Sequence, residues 1–210
     1  MSNTNNGLRA ALLGALLALA AAVAPAQALD TTNVAFVQVA NGNTSIPVGH
    51  AEFCQSRPEE CRPHANPVAA VELTEGLWQQ LVNVNAAWNQ AIVPVTDQDL
   101  YQVSEFWTYP NGYGDCEDYA LAKRRDLINA GWPASALLMS VVKQANGEGH
   151  AVLLVRTDRG DLVLDNQVGT IDLWNQTPYK FIKRQSQADA GKWVDMLDNR
   201  DIVIATAAIN

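Results

Sequence analysis

Residues 150–167, HAVLLVRTDRGDLVLDNQ, contain two apolar runs separated by a short polar turn, and this pattern decides the fold. The runs are rich in the aliphatic and β-branched residues that are typical of strands. We place the turn at residues 157–160, because Gly160 supplies the positive φ that such turns often need. The stretch therefore predicts an antiparallel β-hairpin in which Arg156 lies opposite Asp161.

The same register brings a histidine and an aspartate to one face of the hairpin. Counting back from the turn, Val152 lies opposite Asp165 and His150 lies opposite Gln167, so His150 and Asp165 are diagonal neighbours. Their backbones would be about 7–8 Å apart, which lets the side chains meet. A slip of one residue would put them on opposite faces. The alternative is that Asp165 ends its strand and bonds to its own turn.

The flanking sequence predicts an α+β domain around this hairpin. Helices are indicated over residues 74–92, with Thr74 as N-cap, and over residues 116–129; further strands are indicated at 136–143 and 179–185. A helix followed by consecutive strands with glycine-containing turns predicts an antiparallel sheet with a helix packed on it. The first helix has an amide-rich face, predicted to be solvated or, alternatively, to line a groove: Gln79, Gln80, Asn83, Asn85, Asn89 and Gln90.

A single cysteine begins the second predicted helix. Unpaired backbone N–H groups and the helix dipole favour a thiolate at such a position, so Cys116 is a candidate nucleophile. His150 would act as its base and Asp165 would orient the histidine, as in acyl transfer through a thioester. The alternative is a buried, inert cysteine.

Three carboxylates surround this cysteine: Asp115, Glu117 and Asp118. Their charge should raise the pKa of the thiol and oppose the helix dipole. One interpretation is that they cap the helix, with Asp115 at the N-cap and the other two in the first turn. The other is that they bind Ca²⁺, which takes oxygen ligands and would neutralise them.

The remaining two cysteines lie close together in CQSRPEECRP. Because the chain has three cysteines, at least one stays unpaired, and Cys54 and Cys61 are predicted to form a disulfide in an oxidising compartment. A zinc site that adds His64 is the alternative.

The N-terminal sequence predicts export of the protein to the periplasm. Residues 1–28 are predicted to be an export signal, with an apolar core over 10–24 and an A-x-A cleavage site at 26–28; an uncleaved anchor is the alternative. Residues 29–210 are then one domain, with an irregular lead-in over 29–72 and a core over 73–195. The formal net charge of −8 disfavours nucleic acid and anionic membranes as partners.

Two segments carry a family resemblance: WTYPNGYGDCEDYALAKRRDLINAGWPASALLMSVVKQANGEGHAVLLVRTDRGDLVLDNQ and YKFIKRQSQADAGKWV. They resemble the bacterial transglutaminase-like cysteine proteinases over about residues 72–195. The resemblance implies a papain-like, transglutaminase-type α+β fold. It further implies that Cys116, His150 and Asp165 are catalytic and that the enzyme requires Ca²⁺. Asp115 and Glu117 match the metal-binding positions, and Asp118 is a further candidate ligand.

The resemblance also implies a biological setting. The substrate would be the N-terminal region of a large surface adhesin, cut beside a pair of alanines in the periplasm. An inner-membrane receptor that senses cyclic di-GMP would hold the protease inactive. Two other functions stay open at this point: a transglutaminase or other acyltransferase that uses the same triad, and a catalytically silent periplasmic binding module.

Overall fold

The structure is a computed structural model that describes residues 36–202. The first half contains strand β1 (Gln38–Val39), helix α1 (Val48–Ser56), a 3-10 turn (Pro58–Cys61), helix α2 (Glu75–Ala91), strand β2 (Val93–Pro94), helix α3 (Asp97–Leu100), strand β3 (Tyr113–Gly114) and helix α4 (Cys116–Asn129). The second half contains β4 (Leu137–Lys143), β5 (Gly149–Thr157), β6 (Gly160–Leu164), β7 (Asp172–Leu173), β8 (Lys180–Gln185) and β9 (Trp193–Leu197).

A seven-stranded antiparallel sheet forms the centre of the domain, in the order β1-β9-β8-β4-β5-β6-β7. Helix α4 packs on β4 and β5, and α2 packs on α4. The predicted α+β architecture, with the cysteine-bearing helix on an antiparallel sheet, is therefore confirmed.

The central strand β5 is buried on both faces, which explains its unbroken apolar run. Leu153 and Val155 point to the cluster under the helices, whereas Val152 and Leu154 point to a second cluster on the other face. The second cluster includes Trp174 and Tyr179 from the connection between β7 and β8. Because both faces are covered, β5 is firmly packed, and its start lies beside the beginning of α4, where the N–H of Ala151 donates to Sγ of Cys116 at 3.3 Å.

The predicted helices and the hairpin register are confirmed. Helix α4 has the predicted bounds, and α2 begins after Thr74, whose Oγ1 accepts a hydrogen bond from the N–H of Leu77 at 3.3 Å. Arg156 lies opposite Asp161, and Gly160 has a φ of 114°. The turn glycine thus fixes the register on which the His150–Asp165 pairing depends.

The lead-in differs from the expected irregular chain, because it contains helix α1. A disulfide joins Cys54 of α1 to Cys61 with an S–S distance of 2.06 Å, so these sulfurs are not thiolate ligands and the zinc alternative is wrong.

The histidine beside this disulfide is His50, not His64. Its Nδ1 accepts a hydrogen bond from the indole N–H of Trp193 at 3.1 Å. Burial first, and then the charge of Arg124, lowers the pKa of His50 to about 4.

The predicted export signal, residues 1–28, lies outside the described residues. Within residues 36–202, no helix has the length and apolar character that crossing a bilayer requires.

Candidate active site

His150 and Asp165 form a buried pair at the end of the hairpin. The β5–β6 ladder ends where Leu153 pairs with Leu164, one residue before Asp165. Beyond that point, the Nε2 of His150 lies 2.9 Å from Oδ1 of Asp165. An ionised carboxylate only accepts hydrogen bonds, so Nε2 carries a proton, and Nδ1 is the ring nitrogen that remains to exchange a proton with a substrate or a nucleophile.

Several neighbours hold Asp165 in place. Its Oδ1 also accepts the backbone N–H of Gln167 at 2.9 Å, and its Oδ2 accepts the hydroxyl of Tyr179. Burial alone would raise the pKa of Asp165, but the hydrogen bond and charge of His150, together with these other donors, outweigh burial and hold the pKa below its ordinary value. The carboxylate is therefore ionised and able to orient the imidazole.

The amide face of α2 takes part in this arrangement. Asn89 donates to the backbone oxygen of Asp165 at 2.8 Å, and Asn85 donates to the backbone oxygen of Gly169 at 3.2 Å. These two side chains hydrogen-bond to the backbone of the loop that follows β6. The expectation that the amide-rich face of α2 is only solvated is therefore wrong for these two positions.

Cys116 begins α4 and lies at the same cleft as His150. The backbone N–H of Ala151 donates to its Sγ at 3.3 Å, and its thiol donates to a carboxylate oxygen of Glu117 at 3.2 Å. Burial first, and then the negative charge of Glu117, raises the pKa of the Cys116 thiol well above its ordinary value. In this arrangement of charges the thiol is held in its protonated form.

Two clefts meet at Cys116 and His150. One, which we call the Trp107 cleft, has a volume of about 400 Å³ and is further lined by Val48, Glu105, Trp107 and Val141. The other, the Gln167 cleft, has a volume of about 380 Å³ and is further lined by Thr96, Gln144, Asn166 and Gln167. An extended chain that filled both clefts would pass over the thiol.

A group of carboxylates lies beside the thiol. Oxygens of Asp97, Asp115 and Glu117 lie within 4.8 Å of one another. Asp115 was expected here as an N-cap or as a metal ligand; its side chain makes no capping hydrogen bond and instead accepts the backbone N–H of Asp97 at 3.2 Å. Asp97 was not anticipated from the sequence, and it is brought in by the pairing of β2 with β3.

Asp118 stands apart from the three clustered carboxylates. One of its oxygens accepts the backbone N–H of Thr108 at 2.9 Å, and the other lies against Gly114, where an added Cβ would be only 2.5 Å away. Gly114 is therefore required by this close approach.

These carboxylates are costly to bury without a cation. Burial, followed by a hydrogen bond and repulsion from Asp115, raises the pKa of Glu117 to about 10, and burial together with repulsion from Asp115 and Asp97 raises that of Asp118 to about 8. Within residues 36–202, Oδ1 of Asp97, Oδ1 of Asp115 and Oδ2 of Asp118 are buried and accept no hydrogen bond. Such oxygens fit the ligand chemistry of a hard divalent cation, and Ca²⁺ in particular.

A lysine is fully buried two turns along α4 from the thiol. Lys123 makes no hydrogen bond to any other described residue through its Nζ, which lies 5.9 Å from the centroid of the Tyr119 ring. Burial lowers the pKa of Lys123 to about 7, and the charge of Asp165 opposes this shift. Because the folded-state pKa is below the unfolded one, protonation of this amine costs folding free energy. The cost is fully present below pH 7 and disappears as the pH rises toward the unfolded pKa.

Lys123→Met is therefore expected to stabilise the fold at pH 6 by about 2–4 kcal/mol, because it removes an unpaired buried charge at similar volume. By pH 10 the gain should shrink to under about 1 kcal/mol. Urea unfolding at the two pH values measures this difference. Lys143→Met, on the exposed end of β4, is the matched control and should show no such pH dependence. A destabilised Lys123→Met at both pH values would contradict the account.

Comparison with known proteins gives a family and a small set of structures. A model of the family described as bacterial transglutaminase-like cysteine proteinase BTLCP matches residues 40–201. Calcium-bound Legionella pneumophila LapG is 26% identical with a TM-score of 0.47, and the match covers 51% of this chain and 64% of that one. EGTA-treated LapG from the same organism is 27% identical with a TM-score of 0.46, and the match covers 51% of this chain and 62% of that one. No curated protein sequence matches the chain.

Proposed function

The chain belongs to the bacterial transglutaminase-like cysteine proteinases, and from that premise we propose that it is a periplasmic, calcium-dependent endopeptidase that cuts through a thioester on Cys116. The observation that carries the proposal is the 2.9 Å hydrogen bond between His150 and a buried, ionised Asp165, in a pair that lies at the same clefts as Cys116. The periplasmic location rests on the predicted export signal.

The proposed reaction uses Nδ1 of His150 as the base; in the resting site this nitrogen accepts a long hydrogen bond of 3.4 Å from the side-chain amide of Gln167, which the thiol proton would replace. His150 takes the proton of Cys116, and the sulfur attacks the carbonyl carbon of the scissile peptide bond. The resulting imidazolium is stabilised by Asp165 at Nε2, which keeps the proton on the ring until the amine leaves. The C–N bond then breaks as His150 gives the proton to the departing nitrogen. Water, deprotonated by His150, finally hydrolyses the thioester and restores the thiol.

The beginning of α4 supplies one donor for the oxyanion. The backbone N–H of Cys116 lies in the first turn, where N–H groups have no partner within the helix. It is therefore free to bind the oxygen that becomes negative when the sulfur attacks, and the helix dipole favours that charge.

We further propose that Asp97, Asp115 and Glu117 hold a calcium ion, with Asp118 adding negative charge from outside this group. When bound, Ca²⁺ would supply the positive charge that offsets these carboxylates. Glu117 is the link to catalysis, because its carboxylate accepts a hydrogen bond from the Cys116 thiol at 3.2 Å. If Glu117 bound a cation, it would no longer accept this hydrogen bond from the protonated thiol or raise the pKa of the thiol to the same extent. The calcium-bound and EGTA-treated forms of LapG support this proposal.

For the substrate, we propose the N-terminal region of a large surface adhesin, cut beside a pair of alanines. For the regulator, we propose an inner-membrane receptor that senses cyclic di-GMP and holds the protease inactive. Both proposals rest on the family resemblance.

A test that separates hydrolysis from acyl transfer uses peptides with a central Ala-Ala, a glutamine-containing peptide and a labelled amine. The proposal predicts two cleavage products, identified by mass spectrometry, and no incorporation of the amine. Incorporation without cleavage would establish the acyltransferase alternative. The absence of both reactions, with calcium present, would favour a binding module.

A further inference from the structure

The Trp107 cleft contains a carboxylate that the proposed chemistry does not use. Glu105 lines this cleft together with Cys116 and His150, yet it is not one of the three clustered carboxylates. Its side chain is exposed at the mouth of the cleft. A charge at this place would meet the side chains of a substrate on either side of its scissile bond.

The position of this carboxylate is fixed by a buried tryptophan. The indole N–H of Trp107 donates to Oε2 of Glu105 at 3.1 Å. Trp107 itself is only 4% exposed and packs edge-on against His50 with ring centroids 5.4 Å apart. Gly49 lies against the indole so closely that a Cβ would be 2.3 Å from its Cδ1. Because Trp107 has no room to move, it offers Glu105 a hydrogen-bond donor at a fixed place beside the cleft.

No cation of the described chain neutralises Glu105. Its carboxylate forms no ion pair among the contacts of residues 36–202. In the same part of the chain, neither cleft is lined by a lysine or an arginine. A carboxylate that is held in place and unpaired at the edge of a cleft attracts a cation from the ligand.

The wall beside Glu105 is apolar. Val48 of α1, which is 63% exposed, and Val141 of β4 both line the cleft. Side chains of lysine and arginine combine an aliphatic stem with a charged end, so such a wall can cover the stem while the carboxylate meets the charge. A cleft of about 400 Å³ has room for one such side chain beside the reacting peptide bond.

We propose that Glu105 is a specificity-determining residue and that the Trp107 cleft binds a lysine or arginine side chain close to the scissile bond of the substrate. This inference rests on the proposed function for the identity of the scissile bond. It narrows the substrate class to polypeptides with a basic residue within a few positions of the cut. Glu117 lines the same cleft, but in the proposed function it binds the calcium ion. Glu105 is therefore the carboxylate that contacts the basic side chain of the substrate.

The test compares peptides that differ at one position. Every peptide has a central Ala-Ala. One of the three positions before it or the three positions after it carries either lysine or norleucine, which has a similar length and no charge. At one position the wild-type enzyme should favour lysine in kcat/KM by about fivefold or more, the upper range for a partly exposed charge pair. Glu105→Gln should bring this ratio close to one. Glu105→Lys should cleave a peptide with glutamate at the same position faster than the lysine peptide.

A second measurement makes the outcome independent of catalysis. The affinity of the same peptides for Cys116→Ala, measured by calorimetry, should show the same lysine preference and should weaken with added salt. Equal affinities for lysine and norleucine peptides at every position would overturn the inference. A lysine preference in binding without any cleavage by the wild-type enzyme would leave the Glu105 site standing and would instead overturn the proposed protease function.

Discussion

Cys116→Ala is expected to abolish peptide cleavage, with a loss of about 10⁴-fold or more, the range seen when a covalent nucleophile is removed. No second thiol can substitute, because the other two cysteines of the chain are joined in a disulfide. The change leaves the backbone N–H at the start of α4 in place, so the oxyanion donor is kept. Cleavage of the Ala-Ala peptides, measured by mass spectrometry, gives the rate.

The fold should survive this substitution. Cys116 is half-buried at the cleft, so removal of its sulfur leaves no large internal cavity, and the far-UV spectrum and unfolding midpoint should match those of the wild type. A Cys116→Ala protein that still cleaves at the wild-type rate would refute the assignment of the nucleophile.

Calcium removal is expected to lower cleavage by about 10–100-fold, the range seen when groups at metal sites are altered. Asp97→Asn is expected to weaken calcium binding by about 10–100-fold for the same reason. Asp97 carries a buried oxygen without a hydrogen-bond donor among residues 36–202, which a cation would satisfy. Binding should be measured by calorimetry. The thermal midpoint should rise with calcium concentration, since a ligand of the folded state stabilises it by mass action.

Asp99→Asn provides the matched control on the same short helix. Asp99 is exposed, accepts the hydroxyl of Thr96 at 3.0 Å and lies outside the carboxylate group. The Asp99→Asn variant should bind calcium as tightly as the wild type does. Equal calcium affinity of Asp97→Asn and the wild type would show that the site is elsewhere.

Local patterns were sufficient to predict the parts of the fold that depend on periodicity and turns. Helix α4 and the β5–β6 hairpin follow from apolar spacing and from Gly160, whose positive φ fixes the register. That register in turn brings His150 to Asp165. These are short-range features, in which neighbouring residues along the chain determine the geometry.

Features that depend on distant contacts were not predictable. Asp97 lies 18 residues before Asp115 and approaches it because Val93 pairs with Tyr113 and Pro94 with Gly114. These strands have two residues each and give no periodic signal. Tyr179, in the connection between β7 and β8, donates its hydroxyl to Asp165, and this tertiary contact likewise has no periodic signal in the sequence.

Helix α1 was missed for a similar physical reason. It has no continuous apolar stripe, because its buried positions are Gly49, His50 and Phe53. The small residue fits against Trp107, and the histidine accepts a hydrogen bond from Trp193. Tertiary packing and the disulfide, more than amphipathic spacing, define this helix.

The most direct test of the central claim is the alkylation rate of Cys116 by iodoacetamide at pH 6. This residue is the free thiol of a chain with three cysteines, so the modified protein reports one site. An ordinary thiol with a pKa of about 8.5 reacts slowly at this pH. The account predicts that the calcium-loaded wild type reacts at least about tenfold faster than His150→Ala or the chelated protein, because both the base and the cation favour the thiolate. Equal rates in all three would contradict it.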